Sequence, residues 1–313
     1  MAPPLPTEIR PADRQGIERA VTLLSQGAPV AVPTETVYGL AADATDAMAV
    51  ARIYKAKGRP DFNPLIVHVF DMETAQELAV FSDEALALAD KHWPGPLTLV
   101  LPRRETTPIA DIVTAGLPTI AIRVPAHPVM RALLHRFGKP LAAPSANASG
   151  RISPTQAGHV AHSLAGRIRL ILDDGPTSAG IESTIVAATG SGLRLLRPGP
   201  IEISGAASPG SDAIEAPGQL PSHYAPDKPI RLDATSARDD EVLIGFGTVT
   251  ADLYLGDDPV TAASRLFALL HEADASDAAS IAVAPIEGDG LAAAIRDRLR
   301  RAAAPRHGST PRP

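Results

Sequence analysis

Apolar residues recur at three- and four-residue spacing from Asp13 to Gln26, with Ile17, Ala20, Val21 and Leu24 on one face. That period predicts an amphipathic helix, with Asp13 placed to cap it and Gly27 placed to end it. Ala28 to Val32 is a short continuous apolar run and predicts a buried strand. It leads into a polar turn over Pro33 to Leu40. A second helix is predicted over Ala47 to Lys57, a strand over Pro64 to Phe70, and two helices after Asp71 and Ser82. Short apolar runs at 96–101, 119–124, 141–143, 170–172, 184–188 and 193–196 read as buried strands. Helices over 128–137 and 155–164 lie between them. Strands and helices mix without a strict βαβ rhythm. The expected fold is therefore α/β with an α+β-like mixed, twisted sheet and helices packed on it.

The pattern breaks near Ser204. Residues 204–229 are rich in Gly, Pro, Ser and Ala and have no periodicity, which suits an ordered linker. Beyond it, 242–246 and 281–284 read as buried parallel strands, followed by helices over 259–273 and 291–303. The chain thus divides into a first domain over 1–203, a linker over 204–229 and a smaller Rossmann-like α/β domain over 230–313. Residues 304–313 read as a frayed end. No internal repeat is visible.

Composition narrows the function. At 45% hydrophobic but only 4% aromatic, the core must be built from Ala, Val, Leu and Ile. The absence of Cys excludes disulfides, thiolate metal sites and a cysteine nucleophile. A net charge of −6 argues against DNA or an extended nucleic-acid surface as the default partner. Between Leu232 and Gly290 the only cations are Arg238 and Arg265 against many carboxylates, so this part should repel phosphate backbones. No apolar run approaches the ~18 residues that span a bilayer, and no membrane partner is expected. The first residues carry neither a basic nor an apolar leader region, so a soluble, cytoplasmic protein is expected.

The candidate chemistry lies in short polar segments beside the apolar runs. Lys57-Gly58-Arg59-Pro60 and Asn63-Pro64 set two cations and an amide just before a strand that carries His68. The charges would also suit a solvated helix end, and a lone histidine in an apolar strand is more often a satisfied core residue. Arg123 sits in the apolar run 119–124, where it needs an anionic partner. A structural ion pair and a carboxylate or phosphate clamp weigh equally there. Ala143-Pro144-Ser145-Ala146-Asn147 supplies small polar groups that allow close ligand approach, though ordinary turns look the same. Glu182-Ser183-Thr184 says little alone, and Arg197-Pro198-Gly199 fixes a further guanidinium at a strand end. There is no phosphate-loop signature, no dinucleotide glycine fingerprint, no serine elbow and no metal-ligand spacing. What remains is a site of cations, hydroxyls and amides without an evident nucleophile. Such a site would act by positioning and electrostatic stabilisation.

Taken in order, Pro33-Thr34-Glu35-Thr36-Val37-Tyr38-Gly39-Leu40, Lys57-Gly58-Arg59-Pro60, Asn63-Pro64-Leu65-Ile66-Val67-His68 and Trp93-Pro94-Gly95-Pro96-Leu97-Thr98 form a set. Arg123-Val124-Pro125, Pro144-Ser145-Ala146-Asn147, Glu182-Ser183-Thr184 and Arg197-Pro198-Gly199 extend it. Together they closely resemble the YrdC/Sua5 family of threonylcarbamoyl-AMP synthases over roughly residues 10–203. Pro217-Gly218 and His223-Tyr224-Ala225-Pro226 resemble the linker of the long, two-domain form.

The resemblance implies a nucleotidyltransferase that makes threonylcarbamoyl-adenylate and pyrophosphate from L-threonine, bicarbonate (or CO2) and ATP. A downstream threonylcarbamoyl transferase would pass the group to adenosine 37 of tRNAs that read codons beginning with A. It further implies that Thr36, His68, Arg123, Ala143 and Ser183 surround threonine, with Arg123 on its carboxylate. Arg59, Asn63, Thr119, Ser145, Ser153, Arg197 and Tyr224 would contact ATP. Lys57 and Arg59 would assist the chemistry at the phosphates. Mg2+ would enter on the ATP phosphates rather than on protein side chains, and the linker would close over the site. One departure stands out: Gln219-Leu220-Pro221-Ser222 lacks the basic residues the family pattern carries before His223. The alternative reading is an RNA-binding or ribosome-associated factor, with Lys55, Lys57, Arg59, Arg123 and Arg197 forming a basic cleft.

Overall fold

The computed structural model describes residues 6–60, 62–190, 192–207, 215–218 and 222–305. Its larger sheet has ten strands: β1 (Glu8–Pro11), β2 (Val30–Val32), β3 (Gly39–Asp43), β4 (Ile66–His68), β5 (Leu97–Pro102), β6 (Thr119–Arg123), β7 (Leu141–Ala142), β8 (Leu170–Asp173), β9 (Thr184–Ala187) and β10 (Arg194–Arg197). The order across the sheet is β1-β8-β2-β3-β7-β4-β6-β5-β9-β10. Parallel pairs (β4 with β6, β5 with β9) alternate with antiparallel ones (β4 with β7, β5 with β6), so the sheet is mixed.

Seven helices cover this sheet: α1 (Arg14–Ser25), α2 (Ala47–Lys57), α3 (Met72–Leu78), α4 (Asp83–His92), α5 (Asp111–Thr114), α6 (Pro128–Phe137) and α7 (Ala157–Leu164). Successive strand residues point to opposite faces, and the core divides accordingly. Val30 and Val32 pack with Leu23 and Leu24 of α1 and Met130, Leu133 and Leu134 of α6. Ala31, between them, faces the other layer, which holds Ile53 of α2, Leu78 of α3 and Val160 of α7. The helix starts follow the capping rules: Asp13 accepts from Gly16 N at 2.8 Å, and Asp46, Asp71 and Ser82 cap α2, α3 and α4.

The differences from the sequence pattern are local. The stretch read as a polar turn ends two residues into β3, a fully buried strand of Gly, Leu, Ala, Ala and Asp. It has no β-branched or aromatic residue, so nothing in its composition marks it as a strand. β1 is an edge strand, half-buried or exposed throughout, that pairs with β8. The strand placed over 64–70 is only Ile66–His68.

The smaller sheet comprises β11 (Ile230–Arg231), β12 (Glu241–Gly245), β13 (Leu253–Tyr254) and β14 (Ser280–Val283), in the order β11-β14-β12-β13. Every pairing in it is parallel. Helices α8 (Pro259–Ala275) and α9 (Leu291–Ala303) pack on it through Leu266, Phe267, Leu270, Ile295 and Leu299. That core also takes in Val37, Ile152 and Ile181 from the larger unit and Tyr224 from the connecting segment. The C-terminal unit is thus docked on the larger one. Among the described residues, no helix is long and apolar enough to cross a membrane.

Candidate active site

Strands β4 and β6 are parallel and in register, so His68 and Arg123 sit side by side at their C-terminal ends. Both open into one cavity. Thr34 and Thr36 from the turn after β2 enter it, as do Ala143 and Ser145 from the loop after β7. Glu182 and Ser183 before β9, Arg197 at the end of β10 and Arg59 just after α2 complete the walls. Pro217, Gly218, His223 and Tyr224 form the roof. The cavity therefore lies where the connecting segment crosses the larger sheet.

Arg123 anchors one end. It is buried, donates through Nη1 to Thr36 Oγ1 at 2.9 Å and through Nε to the Gly95 carbonyl at 3.2 Å. Its Nη2 lies 2.6 Å from Glu35 Oε1. Glu35 also accepts from the amides of Ala126 and His127, ahead of α6. Burial works against the Glu35 carboxylate, but Arg123 and the amides of Ala126 and of Glu35 itself outweigh it and push its pKa down to about 2. The guanidinium fork has more donors than these partners use, so it can still take a ligand carboxylate. Beside it, burial and then the Arg123 charge push the His68 pKa down to about 3. The imidazole is neutral, and its buried Nδ1 has no hydrogen-bond partner among the described residues.

The other end carries Arg59 and Arg197. Arg59 donates to the Asn63 and Pro64 carbonyls at 3.3 and 3.0 Å. Burial brings its pKa down to about 10, leaving it charged at neutral pH. Arg197 donates to the Ser183 carbonyl and Ser183 Oγ, both at 3.0 Å, and to the Pro217 carbonyl at 3.3 Å. Ser183 Oγ is in turn 2.7 Å from Thr98 Oγ1. The turn after Arg197 needs glycine: a Cβ on Gly199 would stand 2.4 Å from the Thr184 amide nitrogen. That close approach folds the end of β10 back onto Ser183.

Four of the residues assigned to ATP or catalysis do not reach the cavity. Lys57 is buried, and its Nζ donates to the carbonyls of Ser145 and Asn147. It pins the polar loop that lines the wall rather than facing the cavity itself. Burial, then Arg59, lower its pKa well below the usual lysine value. Ser153 lies behind the wall and donates to Glu182 Oε1. Asn63 is buried under Arg59, with Oδ1 unpartnered among the described residues. Thr119 opens β6 at the end opposite Arg123, level with the segment that follows Asn63. Gln219, Leu220 and Pro221, where family-type basic residues are missing, lie outside the described residues.

Three cavity-side contributors had no distinct sequence signal. Glu35 and Glu182 stand inside motifs whose neighbouring hydroxyls carry the clearer binding signal. Arg298 lies in a charged run of α9 that reads as a solvated helix face, yet it is fully buried against Glu182. The basic cleft that an RNA backbone would need is not at the surface: Lys57, Arg59, Arg123 and Arg197 are buried, and only Lys55 is exposed. Among the described residues no three His, Asp or Glu side chains gather as metal ligands. Glu182, which lines the cavity, and Glu35, which contacts Arg123 without lining it, are each ion-paired to an arginine.

The chain matches two family profiles. That of the Sua5–YciO–YrdC family, described as "Telomere recombination", covers residues 22–199. That of the threonylcarbamoyl-AMP synthase C-terminal domain covers residues 179–304. The threonylcarbamoyl-AMP synthase of Pyrococcus abyssi is 39% identical over 91% of this chain and 93% of its own. That of Bacillus subtilis is 45% identical over 69% of this chain and 66% of its own. The crystal structure of P. abyssi Sua5 complexed with L-threonine superposes with a TM-score of 0.86 at 37% identity, covering 96% of this chain and 97% of that one.

Proposed function

Because the chain belongs to the Sua5–YciO–YrdC family and is an enzyme of the threonylcarbamoyl-AMP synthase type, we propose that it joins L-threonine, bicarbonate and ATP into threonylcarbamoyl-adenylate and pyrophosphate. One observation carries this reading. The arginine–histidine pair suited to an amino acid and the arginine pair suited to phosphates open into a single roofed cavity.

Threonine would place its carboxylate on the free side of Arg123, which Glu35 and Thr36 hold in position. Its uncharged amine would condense with bicarbonate, by way of CO2, to a carbamate with release of one water. A carbamate oxygen would then attack the α-phosphorus of ATP, forming the acyl–phosphate bond as the bond to pyrophosphate breaks. Arg59 and Arg197, fixed by backbone carbonyls, would neutralise the phosphate oxygens as charge moves onto the leaving group. Neutral His68 offers Nδ1 to the amino-acid side without adding charge beside Arg123. Glu182, the carboxylate that lines the cavity, is already paired with Arg298, so Mg2+ would enter as part of the MgATP substrate. Carbamate and mixed anhydride are both labile in water, and Tyr224 would exclude it by covering the nucleotide. The product would go to a transferase that modifies adenosine 37 of tRNAs reading codons that begin with A, in the cytoplasm.

The test is pyrophosphate release by the full chain. Release should require both L-threonine and bicarbonate. Equal release with threonine omitted would overturn the assignment.

A further inference from the structure

Arg298 is the one fully exposed-looking charge of α9 that is not exposed at all: its side chain has 0% accessibility. Burying a guanidinium is costly unless it is paired and hydrogen-bonded, and an apolar side chain would fill the same space without that cost. Its partners lie mostly in the larger unit. Nε donates to Glu182 Oε2 at 2.9 Å, Nη2 approaches the Glu182 carbonyl at 3.5 Å, and Nη1 reaches Asp297 Oδ2 at 3.0 Å. Its guanidinium carbon lies 5.4 Å from the centroid of the Tyr224 ring. Burial opposes the charge, but Tyr224, Glu182 and Asp297 together raise its pKa above the usual arginine value.

Two of the three groups that Arg298 touches, Glu182 and Tyr224, line the cavity. Glu182 is a wall residue in a site whose other charges are cationic. An unpaired carboxylate there would repel a triphosphate. Arg298 neutralises it from behind while Ser153 holds the other oxygen. Tyr224 is a roof residue with a backbone φ of +63°, a strained conformation for a non-glycine residue. Something must hold it. The His223 amide donates to the Arg301 carbonyl at 3.2 Å, one turn along α9 from Arg298. A single turn of the C-terminal helix thus meets both the wall carboxylate and the roof.

We propose that Arg298 is a positioning residue for the reaction. It acts through Glu182 and Tyr224 to hold the roof over the cavity and to keep the wall neutral towards the nucleoside triphosphate. The C-terminal unit would then take part in catalysis through this one guanidinium. The proposal rests on the function given above for its choice of substrates.

The test compares full-length Arg298→Met and Arg298→Lys with Tyr224→Ala and with the double variant Arg298→Met/Tyr224→Ala. Arg298→Met should lower kcat/KM for ATP by about 20-fold, the size of one buried charge-assisted contact, while the threonine Kd stays within about 2-fold. The loss in the double variant should exceed that of Tyr224→Ala but fall short of the product of the two single losses, because Arg298 acts partly through that ring and partly through Glu182. In the substrate-free protein, the amides of His223 and Ala225 should exchange faster in Arg298→Met, while those of β14 should not change. Should the methionine variant fail to fold, the lysine variant, which keeps the charge beside Glu182 and loses the fork, should show a smaller loss in kcat/KM for ATP together with the same faster exchange at His223 and Ala225. Multiplicative losses in the double variant, equal losses for ATP and threonine, or unchanged exchange at His223 and Ala225 would each overturn the proposal. If the wild-type chain released no threonine-dependent pyrophosphate, the assigned reaction would fall, and the exchange measurement would still decide the role of Arg298.

Discussion

Arg123 donates to Thr36 at 2.9 Å across 87 positions of sequence, and the residue beside that threonine, Glu35, holds the same guanidinium by charge at 2.6 Å. Two neighbours in one turn therefore set both the orientation and the charge of the clamp. Arg123→Ala should cut threonine affinity by roughly 100-fold, as expected for a lost charge-assisted contact, with ATP affinity changed less than about 3-fold. Calorimetric titration with each ligand checks this. Equal losses for both would make Arg123 a structural residue. Arg123→Lys should recover little, because an ammonium cannot serve Thr36, Gly95 and a carboxylate from one plane.

Lys57 leads to a different expectation. Its ammonium is buried and donates to two loop carbonyls, so Lys57→Met leaves both without that donor. The variant should lose about 2 kcal/mol of stability, read by urea unfolding, with activity falling as the Ser145 loop loosens. Full stability with lost pyrophosphate release would instead mean that Lys57 leaves the loop to face phosphates during turnover.

Those two residues show what could be read from the chain. The helical periods, the cap at Asp13, the helix starts after Asp71 and Ser82, and the mixed character of the sheet were legible, because short-range patterning dictates them. β3 was not, because its stability comes from burial between β2 and β7 rather than from its own small residues. At the site, motif matching named the residues but not their partners. Lys57 looks like a phosphate ligand until the fold brings Ser145 and Asn147 to it, 88 and 90 positions on. Arg298 looks like a surface charge until α9 docks on Glu182. Side-chain destinations across domains are tertiary facts that no local period records.

Gly218 gives a direct test of the roof. Its φ is +86°, and a Cβ would stand 2.7 Å from Tyr224 Oη and 3.1 Å from Arg197 Cδ. Gly218→Ala must therefore shift the tyrosine, the arginine or both, and it adds strain at a positive φ. The KM for ATP should rise about 10-fold, equivalent to a cost near 1.4 kcal/mol, with the threonine Kd nearly unchanged. A variant with wild-type kinetics for ATP would show that the Pro217–Gly218 turn does not bear on nucleotide binding.

The last prediction concerns the face between the two units. His159 of α7 stacks on His271 of α8, with ring centroids 3.9 Å apart and planes 22° apart. His271 Nε2 lies 3.3 Å from the Ser153 carbonyl, and Thr155 N donates to His159 Nδ1 at 3.3 Å. Burial, then His271 and His162, bring the His159 pKa down to about 3. Burial does the same for His271, to about 4, although the Ser153 carbonyl pulls the other way. Both folded values lie below the unfolded value of 6.5, so the unfolded chain takes up protons that the folded chain refuses. Stability is unaffected above pH 6.5 and falls as the pH drops from there towards 4. His271→Phe keeps an aromatic ring on the stack and removes one of the two titrating groups. Urea unfolding between pH 7 and pH 4.5 should therefore give a shallower loss of stability with acid for the variant than for the wild type. Parallel curves would place the acid-sensitive groups elsewhere, with buried His68 and His223 next in line.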